Sequence, residues 1–152
     1  MPHFSFESCL AKQSFLKQLF RSLTTPEQKY QKIIEFGQSL PPYPEEAKLP
    51  QNLVPGCQSL MYLSSFPTEE GKIMFKADSE ALISRGLAAL LIHIYNQEHP
   101  EVILTCPPSV LEEIGIYASL SPNRSNGLSS LFLTMKKHAL NYLNKKNNTI
   151  PI

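Results

Sequence analysis

The side chains of this chain that could do chemistry are three cysteines, four histidines, one aspartate and a set of glutamates. Cys9, Cys57 and Cys106 stand 48 and 49 residues apart, with no CxxC pair and no histidine at ligand spacing. His3, His93, His99 and His138 are equally scattered. A structural zinc or an iron–sulfur cluster wants four thiolate or imidazole ligands at short, regular spacings, so no metal site is expected. Six glycines form neither GxGxxG nor GxxxxGK, which argues against a phosphate-cradling loop. A G-x-S-x-G nucleophile elbow is also absent. The carboxylate pairs Glu45-Glu46, Glu69-Glu70 and Glu112-Glu113 lie in polar turns or on helix surfaces and read as solvated groups.

The cysteines need individual weighing. Cys9 falls inside an apolar-periodic segment, and Cys106 sits between an apolar run and Pro107-Pro108. Free cysteine is among the most buried residue types, so both read as packing. Cys57 follows Val54-Pro55-Gly56, a sharp bend just ahead of a strand-like stretch. Glycine there permits dihedrals that would hold the thiol at a loop tip. By residue type alone a structural role for Cys57 stays ahead of a reactive one. A thiol reacts as its thiolate, which neighbouring cations favour. Arg85 and Arg124 are candidates by type, although spacing places neither beside Cys57. Asp78, the only aspartate, reads first as a cap for the helix that follows it.

The elements that must position these groups fit one domain, residues 1–152, with no internal repeat and no dividing linker. Hydrophobic residues make up 42% and charged residues 18%, so the chain is globular without being greasy. Thirteen prolines exceed the roughly eight expected at average usage and cluster at Pro41-Pro42-Tyr43-Pro44 and Pro107-Pro108, which suggests ordered bends. A net charge of +1 argues against nucleic-acid binding. Past Glu113 there is no acid, while Arg124, Lys136, Lys137, Lys145 and Lys146 remain, as suits a helix with lysines near its negative end. No apolar run approaches the roughly 20 residues of a membrane span. The N-terminus lacks a secretory pattern and the cysteine count is odd, so a reducing, cytoplasmic setting is expected.

Periodicity predicts a first helix over 7–23 with Leu10, Phe15, Leu16, Leu19 and Phe20 inward. A second starts at a capping box, with Thr25 as N-cap, Pro26 at the first position and Gln28 at the third. It would present Tyr30, Ile33 and Ile34 to the core and end on Gly37 in a left-handed conformation. After an irregular, proline-marked 38–55, a hairpin is expected from 58–65 (with Leu60, Tyr62 and Phe66 in loose alternation) and 72–76 (Ile73 and Phe75), turning at Pro67–Gly71. A central helix capped by Asp78 or Ser79 follows, with Ile83, Leu87, Leu90, Leu91 and Ile94 in one stripe. Short helical pieces near 98–104 and 108–114 lead to a last helix over about 125–144, with a flexible tail at 147–152. Its inward residues would be Leu128, Leu131, Phe132, Met135, Ala139 and Tyr142. The fold class is α+β: a small antiparallel sheet with helices packed on one face.

These residues also carry a family resemblance. Asn52-Leu53-Val54-Pro55 followed by Gly56-Cys57-Gln58-Ser59 resembles the signature of the SufE sulfur-acceptor proteins of iron–sulfur cluster assembly. Lys29-Tyr30 with Ile33 to Pro41 resembles the family's second helix and its exit. Ala77-Asp78-Ser79-Glu80-Ala81 with Arg85-Gly86-Leu87 resembles its mid-chain motif, and Leu120 to Leu128 its C-terminal one. The four motifs occur in order over about 26–140. Met61-Tyr62 stands where the family often has a hydrophobic–tryptophan pair, and neither 41–44 nor the tail has a clear counterpart.

The resemblance implies a SufE/IscU-like fold. It implies that Cys57 accepts the outer sulfur of a cysteine desulfurase persulfide, stimulates that SufS-type enzyme and passes sulfur to a SufBCD-type scaffold. Such a protein is a carrier and activator rather than an enzyme. It needs no cofactor, since the pyridoxal phosphate belongs to the desulfurase, and it binds neither nucleic acid nor membrane; monomer and homodimer stay open. A pocket would shelter the persulfide between turnovers. Gly56, Gln58, Ser59, Asp78, Arg85 and Arg124 would support the thiol or dock the partner, because they sit in matching motifs. Three other readings stay open: a thiol hydrolase with a general base beside Cys57, a non-catalytic adaptor with Cys57 merely packed, and an IscU-like cluster scaffold.

Overall fold

In the computed structural model, residues 4–148 are described. Six helices and one hairpin form in the order α1 (Glu7–Arg21), α2 (Pro26–Gln38), β1 (Met61–Pro67), β2 (Ile73–Ser79), α3 (Leu82–Tyr95), α4 (Pro100–Thr105), α5 (Ser109–Glu113) and α6 (Pro122–Asn148). The strands pair antiparallel, Met61 opposite Ser79 through Pro67 opposite Ile73, so the chain is α+β as expected. α3 is buried along most of its length and meets α1, α2, β2 and α6. Ile83, Leu87, Leu90, Leu91 and Ile94 form the predicted stripe. Among the described residues, no helix is long and apolar enough to cross a membrane.

Local chemistry accounts for several boundaries. The Thr25 side chain accepts from the Gln28 N–H at 3.2 Å, and Gln28 Oε1 accepts from the Thr25 N–H at 3.2 Å, the reciprocal box that opens α2. Gly71, in the left-handed region at φ 79°, closes the hairpin turn by donating to Thr68 O. α1 buries Cys9, Gln13, Leu16 and Phe20, while Leu10 and Phe15 face outward, so its inner stripe is rotated from the expected one. Buried Gln13 is satisfied by Pro107 O and the Val110 N–H, which explains a polar residue on that stripe.

Four expectations are corrected. Gly37 does not end α2; it lies inside the helix, where α2 and α3 approach so closely that a Cβ would stand 2.8 Å from Gly86 N. β1 buries Met61 and Leu63, leaving Leu60 and Phe66 exposed, because pairing with β2 puts odd-numbered residues inward. Neither Asp78 nor Ser79 caps α3. Both belong to β2, and the N-cap position is Ala81, with no side-chain hydrogen bond. The last helix starts at Pro122 and runs through residue 148, into the expected flexible tail; residues 149–152 of that tail lie outside the described residues. The helices cover one face of the hairpin. Part of the other is covered by the proline-marked loop, whose Tyr43 packs on Tyr62 at 6.0 Å between ring centres and hydrogen-bonds Ser64. Tyr62 thus fills a half-buried strand position.

Two histidines give the fold an acid limit. His93 lies between Phe15 and Phe36, and His138 packs on Phe75 while bonding Ser65 through Nδ1 at 2.6 Å. Burial lowers both from their ordinary 6.5, with Lys12 adding to the effect at His93. The unfolded chain therefore binds more protons below about pH 6.5, so this contribution to stability is complete above that value and lost as pH falls. The thermal midpoint is expected to hold from about pH 8 to about 6.5 and to drop towards pH 5, with a shallower drop in His93→Phe. A flat profile in the wild type would contradict this assignment.

Candidate functional site

Cys57 sits on a short loop tied at its base. Leu53 bridges Tyr62, and the Val54 N–H donates to Met61 O at 2.8 Å, so residues 55–60 project as a closed excursion ahead of β1. Gly56 turns the chain at φ 81°, and a Cβ on it would stand 2.9 Å from Ser130 Oγ of α6. The left-handed backbone therefore favours glycine before the cysteine, while the Ser130 hydroxyl could rotate away from a Cβ. The loop lies on the N-terminal part of α6, where the Cys57 thiol points at Gly127 O, 3.8 Å away.

Cys57 is half-buried and opens onto a cavity of about 20 Å³ lined by Met61, Ser84, Leu87, Arg124, Gly127 and Leu131, among others. An adjoining polar groove of about 350 Å³ is lined by Gly56, Cys57, Gln58, Asn123 and Asn126. The Arg124 guanidinium donates to Ser84 Oγ at 2.5 Å, which holds it at the cavity wall and links α6 to the first turn of α3. Burial pushes the Cys57 thiol up, and neither arginine offsets the effect. At neutral pH the resting thiol is therefore protonated and weakly nucleophilic. Cys9 and Cys106 are 0% and 2% exposed, and burial with mutual contact pushes Cys9 up to about 12, so both are sealed from reaction.

The structure brings Cys57, Gln58 and Arg124 around one cavity, with Gly56 shaping the loop. Ser59 is half-buried and lines neither space. Asp78 and Arg85 also lie off the cavity. They form an ion pair at 3.5 Å, and Lys48 bridges Asp78 at 3.3 Å and Glu45 at 2.8 Å, tying β2, α3 and the proline-marked loop together. Ser84, Asn123, Asn126 and Gly127 were not singled out from the sequence. The last three lie inside the Leu120–Leu128 motif, but Ser84 carried no local signal. Among the described residues no histidine lines either space, and no three His, Cys, Asp or Glu side chains cluster as metal ligands.

The family profile described as "SufE: Fe-S metabolism associated domain" matches residues 15–139. An uncharacterised SufE-like protein of Synechocystis is 36% identical over 121 residues, 80% of this chain and 76% of that protein. The sulfur acceptor protein CsdE of Escherichia coli is 37% identical over 76% of this chain and 80% of its own length. A chloroplastic/mitochondrial SufE-like protein of Arabidopsis thaliana is 35% identical, but this chain spans only 33% of it. The solution structure of a hypothetical protein from Thermus thermophilus superposes with a TM-score of 0.72 at 26% identity, covering 88% of this chain and 96% of that one.

Proposed function

Because the chain belongs to the SufE family, we propose that it accepts persulfide sulfur from a cysteine desulfurase on Cys57, stimulates that enzyme and passes the sulfur to an iron–sulfur cluster scaffold. One observation carries this reading: of three thiols, only Cys57 stands on a projecting loop and is partly exposed, while Cys9 and Cys106 are buried in the core. The Cys57 thiolate attacks the outer sulfur of the enzyme's cysteine persulfide. A new S–S bond forms on Cys57, the enzyme's S–S bond breaks, and its inner sulfur leaves as a thiolate carrying the electron pair. No net oxidation occurs. Since burial keeps the free thiol protonated, docking must supply the base or the charge that releases its proton. The pyridoxal phosphate is the desulfurase's, and this chain contributes a thiol and its surroundings. A SufS-type donor, a SufBCD-type recipient and a cytoplasmic setting complete the proposal. Among the described residues no imidazole stands beside Cys57, which weighs against a thiol hydrolase.

The test is intact mass and peptide mapping after incubation with an active cysteine desulfurase and free cysteine. Gain of one sulfur on the Cys57 peptide, reversed by a thiol reductant, is the expected result; no gain with a cognate enzyme favours the adaptor reading. Arg124 is expected to steady the anionic sulfur or the docked partner from its Ser84-anchored position. Arg124→Ala should slow transfer roughly tenfold or more, the scale of a lost charge-assisted hydrogen bond. A full transfer rate would remove Arg124 from the site.

A further inference from the structure

Gly127 is a glycine that the resting fold does not require. It lies inside α6, where glycine is less favourable than alanine, and its φ is not among the positive values of Gly56, Gly71 and Gly115. Unlike Gly37 and Gly86, whose Cβ atoms would collide with backbone, Gly127 could carry one. Its only neighbours within 4 Å would be Cys57, at 3.7 Å from Sγ and 4.0 Å from Cα, which is ordinary contact. Alanine therefore suits the thiol state, and the room beside Cys57 is unused in it.

We infer that the missing Cβ of Gly127 makes room for the outer sulfur of a Cys57 persulfide. The inference rests on reading Cys57 as the acceptor. An outer sulfur is bonded at about 2.05 Å, so one reaching across the 3.7 Å separation would press well inside contact distance of a methyl group there. A cavity of about 20 Å³ beside Cys57 adjoins the room that a Cβ on Gly127 would take. Met61, Leu87, Leu128 and Leu131 make part of the wall apolar, and Ser84, Asn123 and Arg124 make part of it polar.

The full chain tests this without a desulfurase. Inorganic polysulfide loads Cys57 directly: the thiolate attacks a terminal sulfur, an S–S bond forms on Cys57, and a polysulfide one sulfur shorter leaves with the electron pair. Cyanide then removes the outer sulfur as thiocyanate and returns the thiolate. The wild type is expected to carry one added sulfur on the Cys57 peptide after desalting. Gly127→Ala is expected to keep or raise the thermal midpoint while cyanolysis speeds up about tenfold, the effect of a sulfur pushed outward by an overpacked contact. A glycine needed only for folding would instead lower the midpoint. Equal cyanolysis rates in a folded variant would overturn the inference. If a desulfurase fails to load the wild type while polysulfide-loaded Gly127→Ala still loses sulfur faster, the acceptor function falls and the role of Gly127 stands.

Discussion

Cys57→Ser is expected to abolish sulfur acceptance, with a loss on the order of 10³-fold or more, the scale seen when a covalent nucleophile is deleted. The exchange reaction needs a sulfur nucleophile able to form an S–S bond, and a serine hydroxyl neither ionises near neutral pH nor makes that bond. Serine nearly conserves the side-chain shape, and Cys57 makes only a weak 3.8 Å contact to Gly127 O, so the fold should be unaffected. The pair of readouts is the mass of the Cys57 peptide after desulfurase treatment and the thermal midpoint. Loss of loading with an unchanged midpoint assigns the chemistry to Cys57. Sulfur found instead on Cys9 or Cys106 would contradict the assignment and would mean that the core opens, since those thiols are sealed.

The second large effect lies away from the thiol. Gly86→Ala should destabilise the protein by about 3 kcal/mol or more, at the upper end of overpacking. A Cβ on Gly86 would stand 2.1 Å from Ile33 O and 2.6 Å from Ile33 C, both backbone atoms of α2 that a rotamer change cannot move. The helices must separate, and buried α3 carries the cost into α1, β2 and α6. At roughly 2–4 °C per kcal/mol for a chain of this size, the midpoint should fall by about 6–12 °C. Gly37→Ala should cost less, because its closest contact is 2.8 Å. A Gly86→Ala midpoint within about 2 °C of the wild type would mean that α2 and α3 do not approach this closely. Ser84, two residues before Gly86, anchors Arg124, so the variant should also loosen the Cys57 cavity.

Much of the frame is written in short-range spacing. The capping box at Thr25–Gln28, the turn at Gly71, the α3 stripe and the bend that lifts Cys57 onto a loop each depend on residues a few positions apart, so one sequence suffices to read them. That Cys57 stands on a loop while Cys9 and Cys106 are buried is legible too, because only Cys57 follows a proline–glycine bend. Less local features were misread. Leu60, Tyr62 and Phe66 alternate as well as Met61 and Leu63 do, and only pairing with β2 decides which set faces the helices. Gly37 has the type of a helix terminator, and only the approach of Gly86 explains why it continues the helix.

By itself the sequence determined the element order, the α+β class and the family, because these rest on residue type, local period and short motifs. The tertiary structure decided which side chains surround the Cys57 thiol. Ser84 reaches Arg124 across 40 residues and Gly127 meets Cys57 across 70, while Asp78 and Arg85 pair with each other and with Lys48 away from the cavity. It also decided the state of the thiol, since burial is set by packing of the whole chain. Contacts between distant segments depend on how helices and strands dock, and docking is settled by shape and burial summed over the core, which no local spacing encodes.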